Sequence, residues 1–97
     1  MAEIKLELDE LNNGAFNLYE DGHKLGEMVL SISKGQLTVY HNEVAPEAEG
    51  KGFAKQLLGT MVTYAREHQL KVVPLCPYVH AQFKRHPELY EDVWQKA

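Results

Sequence analysis

The spacing of apolar residues changes once along this chain, at Glu49-Gly50-Lys51-Gly52, and that change decides the fold class. Before it, apolar residues occupy alternate positions: Ile4, Leu6 and Leu8, then Phe16 and Leu18, then Met28, Leu30 and Ile32, then Leu37 and Val39. A period of two places such residues on one face of a pleated strand. After it, Ala54, Leu57, Leu58, Met61, Val62 and Ala65 recur at steps of three and four between Gly52 and His68, the apolar stripe of an amphipathic helix.

Turn chemistry separates the strands. Asn12-Asn13-Gly14, Asp21-Gly22 and Lys34-Gly35 supply residues that tolerate positive φ at tight reversals, so the strands are expected to form an antiparallel meander. Leu70 to Leu75 reads as a final core strand, interrupted at Pro74, a residue that suits an edge or a bulge. Past Pro77, the residues Val79, His80 and Phe83 fall on the inner face of a short helix that Pro87 stops. Leu89, Tyr90, Val93 and Trp94 form the apolar side of a last turn or helix. The order predicts an α+β fold with a mostly antiparallel sheet. A length of 97 residues leaves room for one compact domain over 1–97.

Charge and cysteine content exclude several function classes. A formal net charge of −4 without a block of like charges argues against nucleic acid as a partner, and Lys84, Arg85 and His86 read as a solvated helix face. A single cysteine forms no intrachain disulfide, and Met1 to Lys5 lacks the basic-then-apolar start of a secretory signal, so a reducing cytoplasm is the expected compartment. No apolar run approaches membrane-spanning length, so no membrane partner is expected. A monomer is the expected state. The five histidines show no metal-ligand spacing, and no metal is expected.

Between the strand ending near Val44 and the long helix lies "VAPEAEGKGFAKQLL". Gly50 and Gly52 leave the backbone uncovered where the first N–H groups of the helix lack intrahelical partners, which makes an anion pocket. A phosphate there gains charge-assisted hydrogen bonds of about 1.5–3 kcal/mol each and up to about 1 kcal/mol from the helix dipole. The loop is neither a Walker P-loop nor a dinucleotide fingerprint, because the Gly-x-x-x-x-Gly-Lys-Ser/Thr pattern and a βαβ context are both missing. Taken alone, a glycine pair that merely turns the chain sharply explains the loop equally well.

The stretch "HNEVAPEAEGKGFAKQLLGTMVTYAREHQLKVVPLCPYVHAQFKRHPELY", residues 41 to 90, resembles the cofactor-binding half of the GNAT superfamily of acyl-CoA-dependent N-acyltransferases. It is most similar to the minimal single-domain branch, with a His-x-Glu-Val strand end, a Gly-rich loop and Cys-Pro-Tyr-Val before Arg-His-Pro. The superfamily loop pattern, Gln/Arg-x-x-Gly-x-Gly/Ala, falls on Glu49, Gly52 and Ala54. The resemblance implies acetyl-CoA as cofactor, its pyrophosphate held by the backbone from Gly50 through Lys51, Gly52 and Phe53 to Ala54. Glu49 departs from the usual Gln or Arg. An acid beside a diphosphate costs Coulomb energy, so Glu49 is expected to face solvent or Lys51.

Acyl transfer from a thioester to an amine needs an unprotonated amine, a stabilised oxyanion and a proton for the departing thiolate. The resemblance implies that the strand before the loop splays from its neighbour, so that backbone around Glu43, Val44 and Ala45 takes the pantetheine and Val44 N–H the oxyanion. His41 and Glu43, two apart on that strand, share a face, and either is a candidate base: Glu43 by resemblance, His41 because an unperturbed imidazole titrates near physiological pH. Larger members often carry a proton-donating Tyr in the helix after the last core strand. Here Phe83 falls there, as a cofactor contact with no proton to give, which leaves Tyr78 or Cys76. Cys76 stands where the pantetheine thiol is expected, so packing, proton donation and transient acyl acceptance all remain open for it. Cys76 with His80 or His41 is also compatible with a nucleophile pair.

Only a turn and a strand span Leu8 to Leu18, where fuller members have helices that enclose the acceptor. The resemblance therefore implies an open acceptor side suited to an exposed amine on a peptide or a polyamine. The competing reading is a module that binds CoA or a partner without chemistry.

Overall fold

The computed structural model describes residues 2–96. Strands β1 (Ala2–Leu8), β2 (Asn13–Glu20), β3 (His23–Ser33) and β4 (Gln36–Val44) form the expected meander, each antiparallel to the next. Beyond a 3-10 turn at Pro46–Ala48, helix α1 (Phe53–Glu67) carries the chain across the sheet, and β5 (Lys71–Pro74) returns parallel to β4 at the sheet edge. A parallel neighbour requires such a crossover. Helices α2 (Pro77–Arg85) and α3 (Pro87–Tyr90) complete the fold. The α+β architecture and the mostly antiparallel sheet are as the apolar spacing predicts, and the proline-containing strand takes an edge, one of the two places that suit proline.

α1 lies on one face of the sheet. Its apolar stripe, Leu57, Leu58, Met61, Val62 and Ala65, is buried in one continuous core with Phe16, Leu18, Met28, Leu30, Leu37 and Val39. Edge-on packing of Tyr64 against Phe16, with ring centroids 5.7 Å apart, extends that contact towards β1.

Several inferred details differ. Gly14 does not supply a positive φ; Asn12 does, at 63°. Gly14 is needed for space instead, because a Cβ there would stand 2.0 Å from the Glu7 carbonyl oxygen, a backbone atom that cannot swing aside. Gly14→Ala is therefore expected to destabilise the protein by about 3 kcal/mol, the upper range for forced overpacking. A denaturant midpoint within error of the parent would show that the hairpin backbone yields freely. His80 turns outwards, edge-on to Trp94, and Leu75 and Leu89 are exposed, whereas Val79 and Phe83 are buried as expected.

Residue pairing between β3 and β4 shifts at one point. Val29 faces His41 while Leu30 faces Val39, so Tyr40 is an extra residue, a β-bulge. The Tyr40 hydroxyl lies 2.7 Å from Ser31 Oγ, on the face away from α1.

Candidate functional site

The site begins where β5 leaves β4. The two strands pair only as far as Val39 and Pro74, and the Cys76 N–H makes the last link, donating to the Val39 carbonyl at 2.9 Å. β4 runs on to Val44 with β3 alone beside it. Ala45 N–H donates to the Leu25 carbonyl at 2.8 Å, and in an antiparallel ladder the bonding residues alternate. Glu43 and His41 therefore bond to β3, while Asn42 and Val44 turn their N–H groups into the gap left by β5. That is the splayed strand the resemblance implied.

Val44 borders two clefts. One, of about 410 Å³, is lined by Val44, Ala48, Glu49, Gly50, Gly52, Phe53 and Ala54. The other, of about 420 Å³, is lined by Lys24, Leu25, Glu27, Glu43, Val44 and Pro46 among others. The first is the predicted anion loop. Gly50 and Gly52 have φ of 88° and 78°, and Gly52 is the N-cap of α1 without any side-chain cap. No acid occupies the first turn of α1, so nothing on the helix itself opposes an anion there. These features fit a diphosphate. Not every loop amide is free for it, because the Lys51 N–H donates to the Ala48 carbonyl at 3.4 Å. Lys51 Nζ pairs with Glu20 at 3.2 Å, not with Glu49, and lies 5.8 Å from the centre of the Phe53 ring. Glu49 is exposed to solvent.

On the face opposite α1, His41 Nε2 stands 3.8 Å from Glu43 Oε1, with both side chains more than half exposed. Sequence reasoning missed a third member, Glu27, which β3 places directly opposite Glu43. Ligand atoms of Glu27, His41 and Glu43 all lie within 4.8 Å of one another. The available signal was strand register, since residues on neighbouring strands share a face only when the hairpin offset is known. Glu27 also meets Lys24 Nζ at 2.5 Å.

The remaining expected residues divide. Cys76 is a free, buried thiol at the N-cap of α2, at the apex of the splay. His80 N–H donates to the Cys76 carbonyl at 3.0 Å within the helix, but no imidazole hydrogen-bonds to the sulfur among the described residues, so the nucleophile pair is not assembled. Tyr78 packs half-buried against the core beside it, and burial pushes its phenol above the usual range, with the charges of Tyr90 and Cys76 adding to the effect. Such a phenol keeps its proton at neutral pH. Phe83, expected against the cofactor, has no exposed surface: it stacks on Tyr90 at 4.8 Å and meets Trp94 edge-on at 5.8 Å. Its place is in the core under α2 and α3, and it lines neither of the two clefts that Val44 borders.

Comparison with known proteins places this geometry. A family model described as GCN5-related N-acetyltransferase matches residues 15–93. No curated protein sequence gives a significant match. Among solved structures, a GCN5-like protein from Staphylococcus aureus is 26% identical with a TM-score of 0.72, over 98% of this chain and 89% of that one. A ribosomal-protein-alanine N-acetyltransferase from Brucella melitensis is 25% identical with a TM-score of 0.63, over 92% of this chain and 65% of that one. A GNAT family acetyltransferase from Elizabethkingia anophelis, determined with acetyl-CoA bound, shares the fold at 16% identity and a TM-score of 0.60, over 80% of this chain. The chain thus spans most of the Staphylococcus protein but about two thirds or half of the others, 65% and 53%.

Proposed function

Because the chain belongs to the GCN5-related N-acetyltransferase family, we propose that it moves the acetyl group of acetyl-CoA to a primary amine of an exposed acceptor, a peptide or a polyamine. The observation that carries this reading is the freed edge of β4, which sets the Val44 amide between the glycine-loop cleft and the carboxylate-lined cleft.

Acetyl-CoA supplies the activated acyl group as a thioester. The residues of the chain do the rest. Amides of Gly50, Gly52, Phe53 and Ala54 hold the pyrophosphate at the N-terminus of α1. Val44 N–H donates to the acyl oxygen, where negative charge develops during attack, and such a preset donor is worth most in the transition state. Glu43, coupled to His41, binds the acceptor amine and takes its proton. Glu27 adds a second carboxylate to that cleft, which favours a cationic acceptor. Tyr78, which keeps its proton, and Cys76, at the apex of the splay, stand on the leaving-group side. The exposure of His41 and Glu43 supports an acceptor that reaches the site from an open surface.

Gly52→Glu tests the cofactor half. A Cβ at Gly52 meets no atom within 4 Å, so the penalty comes from the positive φ and from a carboxylate added where a diphosphate binds. Acetyl-CoA affinity, followed by calorimetry or amide shifts, is expected to fall about 100-fold, equivalent to about 2.7 kcal/mol. Normal affinity with unmoved Gly50 to Ala54 signals would reduce the loop to a turn. Turnover with a panel of amines, peptides and polyamines separates an enzyme from a binding module, since a module releases no CoA thiol.

A further inference from the structure

The two edges of the sheet are finished differently. At the β5 edge the chain caps itself: Val72 N–H donates to the Val93 carbonyl at 2.6 Å and Gln95 N–H to the Val72 carbonyl at 2.9 Å. Arg66 clamps that segment through Asp92, with Nε 2.8 Å from Oδ2. At the other edge nothing among the described residues pairs with the outer side of β1.

The backbone direction along β1 follows from its ladder. Asp9 N–H donates to the Asn13 carbonyl at 2.8 Å, so by alternation Glu7, Lys5 and Glu3 exchange bonds with β2. Ile4, Leu6 and Leu8 turn their N–H and C=O groups outwards. The same three residues carry apolar side chains of the strand, only partly buried against the core, and Ile4 borders a groove of about 540 Å³ lined also by Phe16, Gly59, Thr63 and Tyr64 among others. β1 has no proline and pairs with β2 without a bulge, so it lacks those two common protections of an exposed edge.

We propose that β1 pairs antiparallel with β1 of a second copy of this chain about a two-fold axis at Leu6, joining two five-stranded sheets into one. Leu6 then bonds to Leu6 of the second copy and Ile4 to Leu8, using the outward groups and bringing the apolar side chains together on the α1 side. On the opposite face Lys5 meets Glu7 of the second copy, twice by symmetry, and Glu7 is already held by Asn17 Nδ2 at 2.8 Å and by the Tyr19 hydroxyl at 2.6 Å. The same register sets Glu3 opposite Asp9, whose carboxylate accepts from the Leu11 and Asn13 N–H groups in the turn at 2.8 and 3.0 Å, so within the strand the charges favour this register over an axis at Lys5. An axis at Lys5 sets Lys5 against Lys5 and Glu3 against Glu7, and like charges directly opposite destabilise a strand pair. An axis at Ile4 keeps opposite charges but exchanges Leu8 for Ala2 at the interface. The result is a dimer in place of the expected monomer.

Sedimentation of the 97-residue chain across the micromolar to millimolar range is expected to show a mass that doubles with concentration. Leu6→Pro removes only an outward N–H, which an edge strand tolerates, and is expected to abolish the dimer while β2 stays paired. Lys5→Glu sets like charges opposite one another twice and is expected to weaken the dimer about tenfold. Under mild oxidation Leu6→Cys is expected to form a disulfide-linked dimer and Lys5→Cys is not, which fixes the axis even if the proline variant fails to fold. A mass that stays monomeric at every concentration, or a dimer indifferent to Lys5→Glu and uncrosslinked by Leu6→Cys, would overturn the proposal.

Discussion

Replacing Glu43 with Gln is expected to lower kcat at neutral pH by about 100-fold or more, within the range usual for loss of a positioned base, and to leave acetyl-CoA affinity unchanged. Gln keeps the size and hydrogen-bonding capacity of the side chain but takes no proton. The carboxylate it replaces is 3.8 Å from His41 Nε2 and lies across the strand from Glu27, so the variant also removes one of the charges that draw an ammonium group into the cleft. Part of the lost rate is expected to return at high pH, where the free amine needs no base. Glu27→Gln provides the contrast: it is expected to raise KM for the acceptor and spare kcat, because Glu27 binds without taking the proton. Equal kinetics for Glu43→Gln and the parent would leave the carboxylate a solvated strand residue.

Phe83→Ala is expected to cost about 3–5 kcal/mol, the range for deleting a fully buried aromatic side chain. A small domain has a total stability of only about 5–15 kcal/mol, so the variant stands near the threshold of folding. The damage is expected to propagate in one direction. Phe83 stacks on Tyr90 and abuts Trp94, and those residues hold the terminal segment that caps Val72. Amide exchange at Val72 and Gln95 should therefore accelerate before exchange in the meander does. Phe83→Leu, which refills most of the space, is expected to recover the greater part of the loss. A cost below about 1 kcal/mol for the alanine variant would mean that α2 repacks without it.

The meander and α1 were legible because each announces itself locally: a period of two broken by residues at positive φ such as Asp21, Gly22, Lys34 and Gly35, then a period near 3.6 opened by Gly52. The glycine loop was legible for the same reason. Residues whose placement depends on neighbours distant in the sequence were not. Glu27 joins the site only through the β3–β4 register, and Lys51 finds Glu20 on β2 instead of its sequence neighbour Glu49. Phe83 was expected at the cofactor by resemblance to the larger members, and the spacing that assigns helix α2 does not tell its depth. Its nine residues, two prolines nearby and two buried side chains say which face turns inwards, not what that face meets. The extra residue at Tyr40 left no mark in the apolar pattern, since Tyr40-His41-Asn42 offers no apolar alternation to interrupt.

That extra residue acts on β4 as a change of parity. Up to Val39 the odd-numbered positions face α1 and the core; from His41 onwards the odd-numbered positions face the open side and the even-numbered ones, Asn42 and Val44, face inwards. The core half and the chemical half of a single strand are thus written in opposite phase. A substitution at any one of these positions alters one side chain, but a ladder that lost the bulge while keeping Tyr40 in the chain would exchange the two faces of everything beyond it, burying carboxylates and exposing Val44. The integrity of the site rests on that bulge as much as on the identity of any residue within it.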